Sequence, residues 1–303
     1  MTGGGGFIGS HVVPKLVAEG AGVVLLGPTS TRRVEIGCLV ARGLIDYAPG
    51  ALAGDRADLA SAIRGCDSLL HLRYQPTQSA NPAARIEQEV ELNLTPTIKL
   101  LEAAESGVEY VCFASSAMVY TPPANGATES GPVGGDVSPY ALIKLAQEAG
   151  VREWSSRTAR PASILRLGTV YGPGETVSRA IPNFIRAVLS GTEPVVNGRG
   201  VAPFDPIYIA DVAEVLIRAL ALRADGTFNV GSGRGRSPVE VARLVIGLCR
   251  ADSGVVEDLG AEDRGGPVCD TTRARDVLGF QASTPIEVGL TAEIAWMLGQ
   301  RAS

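Results

Sequence analysis

The sequence predicts an α/β fold built on a parallel sheet, closed by a smaller C-terminal α/β lobe, and three observations carry that prediction. Over the first 115 residues, short β-rich apolar runs alternate with helical patterns, as βαβ units require. Four consecutive glycines, Gly3 to Gly6, stand immediately before the first helical pattern. From residue 168 the alternation loosens into chain dense in Gly and Pro, with isolated helical pieces, as expected of a region that closes over a site.

Strands are predicted over 23–26, 68–72 and 110–114, where Val23-Val24-Leu25-Leu26, Leu69-Leu70 and Val111-Cys112-Phe113 are continuous apolar runs suited to a sheet buried on both faces. Helices are predicted between them over 10–19, 59–64 and 84–106. Pro96 falls inside the last, where its missing N–H must kink or interrupt the helix. A loop over 121–138, rich in Pro, Gly and Ser, leads to a helix over 139–156 and a strand over 162–167. The stretch 168–211 holds one helical piece near 180–190 and reads as a lid or substrate-binding region. Further helices are predicted over 211–222, 238–249 and 285–299.

Composition excludes several classes. The 303 residues are 45% hydrophobic and 19% charged, which supports a packed core and excludes wholesale disorder. A formal net charge of −5 without any basic run argues against nucleic acid as a partner. The five cysteines are scattered and never form a CxxC pair, and only His11 and His71 supply imidazole, so no metal site is expected. No apolar run reaches the roughly 18 residues of a membrane helix and no signal segment opens the chain, so a cytoplasmic protein is expected.

Gly3, Gly6 and Gly9 give the spacing GxxGxxG directly before a helix, with Phe7 and Ile8 between the last two of these glycines. Backbone without side chains approaches a pyrophosphate closely, and the helix N-terminus offers free N–H groups and the positive end of its dipole. Such a loop should follow a strand, yet only Met1 precedes Thr2. The expectation is a truncated first strand, or another segment in its place.

Ser116 follows the third predicted strand, and Tyr140 and Lys144 come 24 and 28 residues later on one helical face. A phenol ionising near pH 10 serves as a base at neutral pH only if positive charge stabilises the phenolate. Lysine occurs only at Lys15, Lys99 and Lys144, so random placement gives about 0.07 YxxxK pairs. Lys144 therefore weighs more than an ordinary surface lysine.

In order along nearly the whole chain, TGGGGFIG (from Thr2), Gly54-Asp55, His71-Leu72, Asn93, FASSAMVY (from Phe113), PYALIK (from Pro139), VYGPG (from Val170), YIADVA (from Tyr208) and the segment 270–279 resemble the extended short-chain dehydrogenase/reductases, specifically their NAD-dependent epimerase/dehydratase branch. The resemblance implies a Rossmann-type doubly wound parallel sheet over 1–167 and a substrate lobe over most of 168–303, with about 205–232 returning to the sheet domain. It also implies roles. Tyr140 is the catalytic base, Ser116 binds the reacting hydroxyl, Lys144 holds the nicotinamide ribose and lowers the Tyr140 pKa, and Asn93 is the fourth member of the set. Gly3, Gly6, Phe7, Ile8, Gly9, Leu72, Asp55 and Arg56 are expected at the dinucleotide, and a homodimer is expected through the helices over 84–106 and 139–156.

Departures from the family pattern narrow the activity. Ala117 and Met118 follow Ser116 where sugar 4,6-dehydratases carry Asp-Glu, which leaves nothing there to move protons in an elimination. Thr169 replaces a common Asn, and Phe204 stands where an Arg usually pairs with the pyrophosphate of the substrate. Arg264 matches a second phosphate-binding arginine, and Arg199 is the expected substitute for the first. Gly27-Pro28 occupies the place of the acid that marks NAD users, while Arg32-Arg33 could receive a 2′-phosphate. NAD is favoured, with NADP the alternative. The resulting reading is a nucleotide-sugar 4-epimerase. An NADPH-dependent ketoreductase of a keto-sugar or other small carbonyl is the alternative, and a non-catalytic dinucleotide-binding protein the third.

Overall fold

A computed structural model describes residues 1–28, 33–77, 81–121, 125–135, 138–263 and 265–302. Arg32 and Arg264 lie outside the described residues. The first part of the chain runs α1 (Phe7–Ala18), β1 (Val24–Gly27), α2 (Val34–Ala41), β2 (Asp46–Pro49), α3 (Arg56–Ala62), β3 (Ser68–His71), α4 (Pro82–Glu89), α5 (Thr95–Ala104) and β4 (Tyr110–Ser116). Next come β5 (Asn125–Ala127), α6 (Pro139–Thr158), β6 (Ala162–Leu167), β7 (Thr169–Tyr171), α7 (Ala180–Leu189), β8 (Val195–Asn197), β9 (Pro206–Tyr208), α8 (Ile209–Leu222) and β10 (Gly226–Val230). The chain ends with α9 (Pro238–Cys249), β11 (Val256–Asp258), β12 (Val268–Cys269), α10 (Thr272–Leu278) and α11 (Ile286–Ala302).

The main sheet is parallel throughout. β1 pairs with β2, and β3, β4, β6 and β10 lie side by side in that order. Thr2 joins the two groups by bridging Leu26 of β1 and His71 of β3. The Leu26 amide donates to Met1 O at 2.8 Å and the Thr2 amide to Leu70 O at 2.9 Å. Met1 and Thr2 alone thus hold the central place where the sequence leads one to expect a full strand.

Both faces of this sheet are covered, and the strand pattern shows it. Leu25, Leu70, Cys112 and Leu165 belong to one apolar core with α1, α2 and α8. Their neighbours Leu26, Leu69, Val111, Phe113 and Ile164 belong to a second core with α3, α5 and α6. Alternate residues of each strand point to opposite faces, so a sheet buried on both sides needs apolar residues at consecutive positions. A third core joins α7, α9 and α11 with Tyr171 and Phe204, forming the C-terminal lobe. Between these regions, α8 and β10 return to the main sheet, where β10 adds as its last strand.

The helix predicted over 84–106 is three pieces: α4, a π-helical turn Val90–Leu94, and α5. The interruption precedes Pro96, which falls in the first turn of α5, where a missing N–H leaves no hydrogen bond unmade. The strand β2 and the helix α2 escape prediction because they are short and only half buried.

Candidate active site

The glycine loop is a backbone cradle. Gly3 has φ 71°, and a Cβ there would lie 2.9 Å from the Arg73 amide nitrogen and from Leu72 C. A Cβ on Gly9 would lie 2.2 Å from Gly3 O. The loop is therefore packed against the end of β3, and the Leu72 amide donates to Thr2 O at 3.3 Å. Gly6 caps α1 without a side chain, so the first-turn amides at Phe7, Ile8 and Gly9 have neither an intrahelical acceptor nor a side-chain cap. This arrangement fits the pyrophosphate of a dinucleotide.

The adenosine side differs from expectation. Asp55 is the N-cap of α3, where its Oδ1 accepts the amides of Ala57 at 2.8 Å and Asp58 at 3.0 Å in a capping box. Arg56 turns to Glu102 O of α5 at 3.4 Å and shares a surface groove with α5 and α6 residues, so the structure does not bring it to the glycine loop. At the end of β1, the Tyr47 hydroxyl donates to Pro28 O, and its oxygen stands 2.9 Å from where a Gly27 Cβ would be. Arg33 donates to Gly174 O at 2.6 Å, reaching the substrate side of the cleft.

Ser116 ends β4, and Tyr140 and Lys144 project from α6, which starts at the Ser138 cap with Pro139 in its first turn. The Ser116 hydroxyl favours the ionised Tyr140 phenol, and its oxygen accepts the Met118 amide at 3.2 Å. Lys144 Nζ donates to Ala114 O at 2.8 Å and lies 4.7 Å over the Phe113 ring. Burial pushes Lys144 down to about 7, with Glu148 and Glu89 opposing. Burial also raises the Tyr140 phenol, while Ser116 and Arg179 pull it back and Glu89 adds to the rise. Behind Lys144, buried Glu148 accepts from Arg166 at 2.8 Å and from Ser115 Oγ at 2.6 Å. Its burial favours the neutral acid, but the Arg166 pairing outweighs that and holds the carboxyl below its usual range.

Asn93 lies in the π-helical turn and is buried, yet its side chain is spent elsewhere. Its Oδ1 accepts the Gln75 amide at 2.8 Å, and its Nδ2 donates to Gln75 O at 3.0 Å and to Glu89 Oε2 at 2.9 Å. Its carbonyl accepts from Thr97 Oγ1 and from Gln147 Nε2 of α6. The structure thus brings Asn93 beside α6 through its backbone, while its side chain braces the chain after β3. Buried Glu89 also accepts from Tyr74 at 2.6 Å, and the Tyr74 ring packs against Tyr140. Sequence reasoning missed both residues, since neither belongs to a motif. His71 is locked between Thr2 and Thr97 and pushed down to about 3 by burial, so it stays neutral and outside the chemistry.

A cleft beyond Ser116 is lined by Met118, Thr169, Tyr171, Glu175, Arg179 and Phe204 among others. Ala117 is buried beneath it rather than lining it. Arg199 is exposed on the turn after β8 and does not line the cleft, so it does not replace the arginine missing at Phe204. Among the described lining residues, Arg179 is the only cation. It precedes α7 within Gly- and Pro-rich chain, where no spacing signals it. Gly265 and Gly266, beside Arg264, also border the cleft.

Residues 1–231 match the model of the NAD dependent epimerase/dehydratase family. A UDP-glucose 4-epimerase of Mycolicibacterium smegmatis is 31% identical, over 97% of this chain and 96% of its own. The chain superposes on MoeE5, solved in complex with UDP-glucose and NAD, with a TM-score of 0.85, 27% identity and coverage of 99% and 98% of the two chains. It superposes on the UDP-glucose 4-epimerase of Thermus thermophilus, solved with NAD, with a TM-score of 0.81, 26% identity and 98% coverage of both. No helix among the described residues is long and apolar enough to cross a membrane.

Proposed function

Because the chain belongs to the NAD-dependent epimerase/dehydratase family, we propose that it interconverts nucleotide sugars at C4, with NAD as its cofactor and Tyr140 as its base. The observation that carries the reading is that Ser116 acts on the Tyr140 phenol beside buried Lys144, at the head of a cleft where Ala117 and Met118 bring no proton donor. Residues 1–167 with α8 and β10 hold the cofactor, and most of 168–303 holds the sugar nucleotide.

Bound NAD supplies hydride acceptance from C4 and the return of that hydride to the other face. Tyr140 Oη takes the C4 hydroxyl proton as the carbonyl forms and gives it back on reduction. Ser116 Oγ holds the same oxygen in line with the phenol. Lys144 adds positive charge near the cofactor ribose once binding restores its proton. Gly3, Gly6, Gly9 and the first turn of α1 hold the pyrophosphate. Arg264 and Arg179 are the cations assigned to the substrate's anionic groups, and Met118 and Thr169 contact the sugar side of the cleft.

A homodimer is part of the proposal. Ile86, Val90, Ile98 and Leu142 are exposed apolar residues on α4, the π-helical turn, α5 and α6, the helices expected to meet a second copy. All five cysteines are free, in keeping with a reducing cytoplasm. Incubation with NAD and a panel of UDP- and dTDP-sugars, followed by chromatography, tests the activity. Appearance of C4 epimers supports it, net oxidation of added NADPH with a keto substrate would favour the ketoreductase, and no conversion of any sugar overturns it.

A further inference from the structure

The epimerase reading leaves one group of buried charges without a role. Glu175, in the loop after β7, lines the cleft, although its side chain is only 1% exposed. Glu293, on α11, is fully buried. Neither oxygen of Glu293 has a hydrogen-bond partner, and neither has Oε1 of Glu175. An ionised carboxylate buried without donors is strongly disfavoured, and two carboxyls near enough to repel cannot both ionise freely.

Charged and titratable groups meet this pair from every side. Arg179 Nε lies 3.6 Å from Glu175 Oε1, and its own side chain is 51% exposed toward the cleft. Arg186 of α7 acts on both carboxyls and is itself anchored to Asn183 at 2.5 Å. The phenols of Tyr171 in β7 and Tyr208 in β9 face Glu293, with Asp211 of α8 acting on both phenols and Glu287 of α11 acting on Tyr171. The Gly172 backbone and Arg186 favour ionised Glu293.

We propose that Glu175, with buried Glu293 near it, governs Arg179, so that an anionic sugar nucleotide and a proton bind the cleft together. The proposal rests on the nucleotide-sugar reading of the cleft. When both carboxyls are ionised, Glu175 holds Arg179 and the pair's charge repels an incoming anion. When an anionic group of the substrate takes Arg179, Glu175 loses its positive neighbour inside an apolar wall, and the pair takes a proton from solvent. Burial pushes Glu175 up to about 7 and Glu293 up to about 8, the latter with the charge of Glu175 adding to the rise. The exchange therefore falls near neutral pH.

Calorimetric titration of the purified protein with UDP-glucose, in two buffers of different ionisation enthalpy near neutral pH, counts the proton directly. Both phosphates of UDP-glucose are esterified and do not titrate in this range. Net proton uptake is expected, and KM is expected to rise roughly tenfold from about pH 6.5 to about pH 8.5. Glu175→Gln should abolish the uptake and flatten the KM profile, and Glu293→Gln should move its midpoint to lower pH. Binding and turnover without proton uptake, or with uptake unchanged in Glu175→Gln, overturns this inference alone. Absence of binding and turnover with every UDP- and dTDP-sugar overturns the nucleotide-sugar reading and this inference with it.

Discussion

The ring of Tyr74 meets the ring of Tyr140 edge-on, with centroids 4.8 Å apart and planes at 82°, while its hydroxyl donates to buried Glu89 at 2.6 Å. The contact packs the Tyr140 phenol against the chain that follows β3, and Glu89 in turn is tied to the π-helical turn through Asn93. Tyr74→Ala should lower kcat by about tenfold with little change in KM, since a loosely held base loses orientation before it loses substrate affinity. Tyr74→Phe keeps the ring and should retain more activity than Tyr74→Ala. Steady-state kinetics on the two variants check this.

Charge around Tyr140 sets the acid limb of the pH profile. A base works only when deprotonated, so kcat/KM should rise with pH through the apparent pKa of the Tyr140 site. Glu89 raises that value and Arg179 lowers it. Glu89→Gln should therefore move the limb to lower pH, and Arg179→Gln should move it to higher pH. Profiles of kcat/KM for the three proteins give the sign.

The glycine cradle leaves no room for a methyl group at its tightest point. Gly9→Ala would set a Cβ 2.2 Å from Gly3 O and 2.5 Å from Gly4 Cα, both of them backbone atoms that cannot swing aside as a flexible side chain would. Loss of NAD binding is expected, by more than about tenfold in Kd. Titration of apoprotein followed by intrinsic fluorescence measures it, with a thermal melt to verify folding.

Stability should carry the mark of Glu293. Its folded-state pKa is raised from 4.5 to about 8, so the folded protein holds this proton where the unfolded chain has lost it. The contribution is fully present below about pH 4.5 and is lost as pH rises through about 8. Glu293→Gln does not titrate, so its Tm relative to the parent should climb steadily between those limits. A Tm difference independent of pH contradicts the assignment.

The sequence makes visible what is local. Gly3, Gly6 and Gly9 declare themselves by spacing, and Tyr140 and Lys144 by one helical turn, because each chemistry needs neighbours a few residues apart. The apolar strands are legible because burial on both faces demands consecutive apolar residues. Glu293 is not legible as a neighbour of Glu175 and Arg179, since it reaches them only once α11 has packed on the C-terminal lobe. Arg199 misleads because it is close in sequence to Phe204, whereas the turn after β8 projects it to solvent. Asp55 has a use that the motif does not announce, because its exposed carboxylate caps the start of α3.

The central claim is a hydride taken from C4 and returned to the same carbon, with Tyr140 handling only the hydroxyl proton. Mass and NMR analysis of the sugar after incubation with NAD in D2O tests it most directly, with Tyr140→Phe as the comparison. The C4 epimer of the substrate is expected with no deuterium on any ring carbon, along with a fall in rate of about 10²- to 10⁴-fold in Tyr140→Phe while NAD remains bound. Deuterium at a ring carbon, or undiminished turnover in Tyr140→Phe, would contradict it.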